Sequence, residues 1–125
     1  MPNRISTAVI LANGIATPYW RCGSGSTVLL LGAPEAIARA LSAWFRVILP
    51  DVPSAFSDVD AVRWLGGVYE GLGIAQAAIV AVPTLREAAT EFARAAPDRV
   101  TGVIVADGST SDIADLRRAV ERAFG

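Results

Sequence analysis

Thr27-Val28-Leu29-Leu30-Leu31 is an apolar run with no polar alternation, entered through Gly23-Ser24-Gly25-Ser26 and left through Gly32-Ala33-Pro34-Glu35. Strands that alternate polar and apolar residues keep one face in water, whereas an unbroken aliphatic run suits a strand buried on both faces of a parallel sheet. The glycines and serines before the run favour a turn. Pro34 after it suits the first turn of a helix, where its missing N–H costs nothing. Ile37, Leu41, Trp44 and Phe45 then recur at helical spacing. A doubly buried strand feeding directly into a helix is the first half of a β-α-β unit, and the remaining elements extend that pattern in both directions.

Upstream, residues 7–12 form a short apolar strand and residues 15–22 a second, joined by Asn13-Gly14, a strong hairpin signal. Downstream, residues 46–49 read as a strand ended by Pro50-Asp51-Val52-Pro53. Ser57 with Asp60 reads as a capping box for a helix whose apolar face is Val62, Leu65, Val68, Tyr69 and Leu72, stopped by Gly73. Residues 77–82 form another buried strand. Thr84 with Glu87 reads as a second capping box, opening a helix lined by Leu85, Ala88, Ala89, Phe92 and Ala93 and closed by Pro97-Asp98. A strand over 100–106 follows. Residues 109–112 supply caps for a last helix with Ile113, Leu116, Val120 and Phe124 facing inward. A hairpin followed by alternating strands and helices predicts an α/β fold, a three-layer sandwich around a mostly parallel sheet. Residues 1–125 read as a single domain without linker or repeat.

Composition removes several classes of function. Of 125 residues, 53% are hydrophobic and 18% charged, so a core is affordable and wholesale disorder is excluded. All 11 basic residues are arginines, and they are balanced by 12 acids with no basic block, which argues against nucleic acid as a partner. The chain contains no histidine, so an imidazole-dependent mechanism such as Ser-His-Asp hydrolysis is closed to it acting alone. One cysteine and no His/Cys cluster predict neither an internal disulfide nor a metal, and no cofactor motif is present. Gly23-x-Gly25 enters a strand instead of opening a helix, so it is a turn and not a dinucleotide loop. Apolar stretches are too short for a signal segment or a membrane span, and the expected location is cytoplasmic.

Taken in order, these elements resemble the N-terminal half of an α/β-hydrolase over residues 9–105. The resemblance is carried by Asn13-Gly14, by Gly23-Ser24-Gly25 before Val28-Leu29-Leu30-Leu31, and by Gly32-Ala33-Pro34 after it. Phe45-Arg46-Val47-Ile48-Leu49-Pro50-Asp51-Val52-Pro53, Leu72-Gly73-Ile74 before Ala78-Ile79-Val80, and Glu91 through Val100 continue it. The resemblance implies a Gly-x-Ser-x-Gly elbow, with serine held at positive φ, where this chain has Ala81-Val82-Pro83-Thr84-Leu85. Proline stands at the nucleophile's position, and its ring fixes φ near −65°. Leu31 replaces the histidine common before the oxyanion loop, and the strands that carry the family's acid and histidine lie beyond residue 125. The expectation is therefore a truncated relative that is not a serine hydrolase.

In open α/β sheets ligands bind outside the carboxyl ends of the parallel strands. That rule selects Ala33, Glu35, Pro83, Thr84, Asp107 and Ser109, together with Asp51, as candidate ligand-binding positions. Backbone N–H groups near Ala33 and Thr84 correspond to the family's oxyanion donors and do not depend on side chains. Each position also has a structural reading: Thr84 as a helix cap, Glu35 as an acid at a helix start, Asp51 and Asp107 as turn residues. Cys22 falls at the amino end of the sheet and reads as an apolar filler, and Trp20, Trp44 and Trp64 as core or interface anchors. The expected function is a pseudo-hydrolase that binds a small apolar metabolite or a partner protein. A triad-independent enzyme (cyclisation, rearrangement, or acyl transfer from a carrier-bound thioester) and a structural subunit completing another chain's sheet are the alternatives. The arginine-only, alanine-rich composition associates with high-GC genomes and specialised metabolism. In the resembled fold the strand over 100–106 is interior, so here it becomes an edge. A homodimer through that edge or through the C-terminal helix is expected.

Overall fold

Val28, Leu29, Leu30 and Leu31 are buried on both sides of a six-stranded sheet, as their lack of alternation requires. A computed structural model describes residues 6–52, 58–106 and 113–124. The strands are β1 (Ser6–Ala12), β2 (Ile15–Cys22), β3 (Thr27–Leu31), β4 (Arg46–Pro50), β5 (Ala77–Ala81) and β6 (Val100–Val105). The helices are α1 (Glu35–Leu41), α2 (Asp58–Leu72), α3 (Arg86–Ala95) and α4 (Ile113–Ala123). Strand order is β1-β2-β4-β3-β5-β6. β1, β2 and β4 pair antiparallel, while β4, β3, β5 and β6 run parallel.

Two cores lie on opposite faces of the sheet. One gathers Leu29, Leu31 and Ile79 under Trp64, Leu65, Val68 and Tyr69 of α2 and Ala89 and Phe92 of α3. The Tyr69 and Phe92 rings meet there at 5.0 Å in a tilted pair, an arrangement that adds about 0.5–1.5 kcal/mol beyond burial alone. The other core packs Val28, Leu30, Val47 and Val80 against Ala38 and Leu41 of α1 and Leu116 and Val120 of α4. Alternate residues of β3 thus serve opposite faces, which produces the three layers expected from the sequence. No described helix is long and apolar enough to cross a membrane.

Local chemistry accounts for most element ends. Gly73 has φ +65°, and the Ile74 N–H donates to the Tyr69 carbonyl at 2.8 Å, closing α2 as Gly73 predicted. Gly67 is required for a different reason. A Cβ there would lie 2.5 Å from the Asn13 nitrogen, so only hydrogen lets α2 rest against the β1–β2 turn. Trp64 reaches the same hairpin and donates from Nε1 to Thr17 Oγ1 at 3.0 Å; Thr17 in turn donates to the Ile15 carbonyl.

Three sequence expectations change. Pro34 is the residue before α1, with φ −64° and ψ 150°, and not part of its first turn. α1 ends at Leu41, where Ser42 Oγ donates back to the Arg39 carbonyl at 2.6 Å. Trp44 and Phe45 therefore belong to the turn into β4: Phe45 is buried and stacks with Phe124, whereas Trp44 is exposed under the Arg117 guanidinium. The Thr84–Glu87 capping box does not form. Pro83–Leu85 make a turn of 3-10 helix, α3 begins at Arg86, and neither start has a side-chain cap. The caps expected at Ser57 and over 109–112 lie outside the described residues.

Candidate functional site

The crevice between the carboxyl ends of β3 and β5 is where the topology focuses a site. β3 exits through Leu31-Gly32-Ala33 and β5 through Ala81-Val82-Pro83, and the Val82 N–H donates to the Leu31 carbonyl at 3.1 Å. The exit of β5 is unstrained: Val82 has φ −68° and ψ 158°, and Pro83 starts the 3-10 turn. Among the described residues the one non-glycine with positive φ is Asn13, in the hairpin turn. A nucleophile elbow needs a left-handed residue at this bend, and proline cannot supply it. The bend is also filled. Gly32 has φ +78°, and a Cβ on it would lie 2.8 Å from a Val82 methyl and 3.1 Å from a Leu85 methyl. Two aliphatic side chains therefore press onto the β3 exit.

Four of the six candidate positions lie among the described residues. Ala33 is buried in the α1–α4 core. Pro83 and Thr84 are exposed on the 3-10 turn. Glu35 is the first residue of α1, exposed, and paired with Arg39 at 3.5 Å. Asp107 and Ser109 lie outside the described residues. Cys22 is buried, and its register opposite Val47 puts it at the amino end of the parallel strands, as expected for a filler. Among the described residues no group of three His, Cys, Asp or Glu side chains is placed to hold a metal.

A groove of about 650 Å³ opens instead on the flank of the crevice, over the antiparallel part of the sheet. Its floor follows two cross-strand rows. Thr7 pairs with Trp20 and Trp20 with Leu49; Val9 pairs with Pro18, whose carbonyl accepts the Asp51 N–H at 2.9 Å. Glu35 at the start of α1 and Asp51 at the exit of β4 are also among its lining residues. Opposite faces of β1 explain why the groove exists: Ile10 and Ala12 pack toward α2, while Val9 and Leu11 stay 62% and 71% exposed. Trp20, only 7% exposed, lines the groove, and its indole N–H has no hydrogen-bond acceptor among the described residues.

Of the groove's lining residues, Glu35 and Asp51 are among the positions singled out from the sequence, while Val9, Pro18, Trp20 and Leu49 are not. One signal was available: residues 7–12 are apolar on both alternating faces, more than a half-covered strand at the end of a sheet requires. Which face lacks a helix follows only from topology.

No protein-family profile matches the sequence, and no curated protein matches it. Solved structures do match. The meta-cleavage product hydrolase from Pseudomonas fluorescens IP01 superimposes with a TM-score of 0.68 at 28% identity, over 77% of this chain and 43% of that one. The carboxylesterase CesB from Bacillus subtilis gives 0.70 at 20% identity, over 82% and 42%. The 2-hydroxy-6-oxo-6-phenylhexa-2,4-dienoate hydrolase from Rhodococcus sp. strain RHA1 gives 0.69 at 19%, over 82% and 46%. The chain thus spans less than half the length of each of these hydrolases. With its mixed sheet order, its N-terminal hairpin and its helices on both faces, the chain has the α/β-hydrolase fold.

Proposed function

We propose that this chain is a non-hydrolytic protein of α/β-hydrolase fold that binds a small, largely apolar molecule in the groove over β1, β2 and β4. The observation that carries the reading is the unstrained β5 exit, with Pro83 at the bend and Val82 and Leu85 packed onto Gly32. A chain without histidine also offers no imidazole to activate a hydroxyl. The groove supports the binding half: its volume falls in the range of small-molecule sites, and its floor is aliphatic and aromatic with a few polar groups at the rim.

Turnover of p-nitrophenyl acetate tests the first half. The expected rate is the buffer background, unchanged by Thr84→Ala; saturable turnover abolished by that substitution overturns the reading. Fluorescence of N-phenyl-1-naphthylamine tests the second half. Saturable enhancement that is lost in Val9→Glu is expected, because Val9 is exposed on the floor and its replacement does not disturb a core. Enhancement indifferent to that change refutes the site.

We also infer a two-fold dimer built on β6. The strand carries neither charge nor proline, and β5 is its one partner among the described strands, so its outer edge suits pairing with a second copy. A monodisperse monomer in sedimentation would contradict the dimer without touching the ligand reading.

A further inference from the structure

We propose that the β1–β2 turn is a site of covalent modification, at which the Asn13 side chain closes onto the Gly14 nitrogen and loses ammonia while the rest of the chain stays folded. The chain has two asparagines, and of these Asn13 alone is followed by glycine. Asn13 and Gly14 form the exposed tip of the hairpin, at φ +52° and +79°, beyond the Ala12–Ile15 pair. Positive φ at both positions is the type I′ conformation that Asn-Gly favours. Neither reacting group is occupied. The Asn13 side-chain amide hydrogen-bonds to no described residue, and the Gly14 N–H has no backbone acceptor among them. Beyond the neighbouring residues, nothing lies within 4 Å of the place where a Gly14 Cβ would stand, so nothing crowds the approach.

The step balances with water as the only co-reactant. Hydroxide takes the Gly14 amide proton, the nitrogen bonds to Asn13 Cγ, and the Cγ–Nδ2 bond breaks as ammonia leaves with a proton from water, which regenerates the hydroxide. Water then opens the resulting succinimide on one of its two sides. Cleavage at Cγ leaves an aspartate, which keeps the backbone path and tolerates a left-handed turn. Cleavage at the α-carbonyl leaves an isoaspartyl linkage, which routes the main chain through Cβ and Cγ and lengthens the turn. That lengthening falls where α2 has no slack, since a Cβ on Gly67 would already lie 2.5 Å from the Asn13 nitrogen and 2.8 Å from the Ala12 Cα. The turn must open for the Gly14 nitrogen to reach Cγ, and an exposed turn opens at a fraction of the cost of global unfolding.

The test holds the full chain in mildly alkaline buffer, once native and once in guanidinium chloride. Ion exchange follows the gain of negative charge, and peptide mass mapping locates it. Native conversion at Asn13 within about a hundredfold of the unfolded rate is expected, because global opening of an ordinary domain would slow it by at least about a thousandfold. Asn3, followed by Arg4, should keep its amide over the same period. Asn13→Gly, which accepts the same turn, should abolish the acidic species. Native conversion slower than the hundredfold limit, or acidic species that persist in Asn13→Gly, overturns the inference. The isoaspartyl fraction should unfold at a lower urea midpoint than the unmodified protein, and Asn13→Asp at an unchanged one. Equal midpoints for all three would overturn the claim that the lengthened turn disturbs the seat of α2.

Discussion

Replacing Gly67 with alanine should destabilise the protein, while the same change one residue earlier should stabilise it. Both glycines lie inside α2, where alanine is favoured by up to about 1 kcal/mol through helix propensity. A Cβ at Gly66 meets nothing closer than a Phe92 ring carbon at 3.9 Å, an ordinary contact, so that gain is realised. A Cβ at Gly67 lies 2.5 Å from the Asn13 nitrogen, 2.8 Å from the Ala12 Cα and 2.9 Å from the Ala12 carbonyl carbon. All three are backbone atoms and cannot swing aside, so α2 and the β1–β2 turn must separate. Overpacking against rigid partners costs about 2–3 kcal/mol, the upper part of the usual range. Net of propensity, Gly67→Ala should lose about 1–2 kcal/mol, and the two variants should differ by about 2–3 kcal/mol. Urea melts followed by tryptophan emission report this as opposite shifts in midpoint at constant slope. The hairpin also forms the groove floor, so Gly67→Ala should weaken naphthylamine binding while Gly66→Ala leaves it alone. Equal midpoints for the two variants would refute the claim that α2 seats against the turn at this contact.

Tyr69 and Cys22 give two further expectations. Burial pushes the Tyr69 phenol well above its ordinary value near 10, an effect that Arg99 only partly opposes, and its hydroxyl has no partner among the described residues. A raised native value means that the unfolded chain loses this proton first, so the associated stability is present below about pH 10 and declines as pH rises further. Tyr69→Phe should flatten alkaline unfolding above that pH and change neutral stability by less than about 1 kcal/mol; a neutral loss of several kcal/mol would show that the hydroxyl is bonded. Cys22 is buried, so a thiol reagent should label it only at the rate of unfolding, and Cys22→Ser should cost about 1–3 kcal/mol by burying a hydroxyl. Rapid labelling of the native protein would overturn that placement.

How far the sequence could be read depended on whether a feature was local. The doubly buried run 27–31, the Asn13-Gly14 turn and the Gly73 stop each depend on their own few residues, and each appears where the sequence put it. Trp44 and Phe45 misled because they continue the helical period of Ile37 and Leu41, although the chain turns at Ser42 to enter β4. Thr84 and Glu87 have the spacing of a capping box, yet Pro83 fixes its own φ and draws the chain into a 3-10 turn first, leaving Thr84 inside that turn. The groove was harder still. Val9 and Pro18 read as ordinary hairpin residues, and Trp20 as a core or interface anchor, until strand order places them beside Leu49.

The contrast between crevice and groove follows from how each is built. In the crevice, Gly32 has a positive φ, and the β3 and β5 exits are hydrogen-bonded to each other. An elbow stores strain because a reactive side chain must stand clear of its neighbours. With Pro83 at the bend no such strain is present, and Val82 and Leu85 pack against Gly32. A serine placed at 83 alone would put its hydroxyl on an unstrained turn, with no imidazole in the chain to activate it. The flank is the reverse case, since the β1–β2 hairpin receives α2 on one face and leaves Val9 and Leu11 open on the other. Packing of Val82 and Leu85 at Gly32 and topology that leaves the hairpin uncovered act independently, and among the described residues the groove follows the second, on the sheet's antiparallel flank.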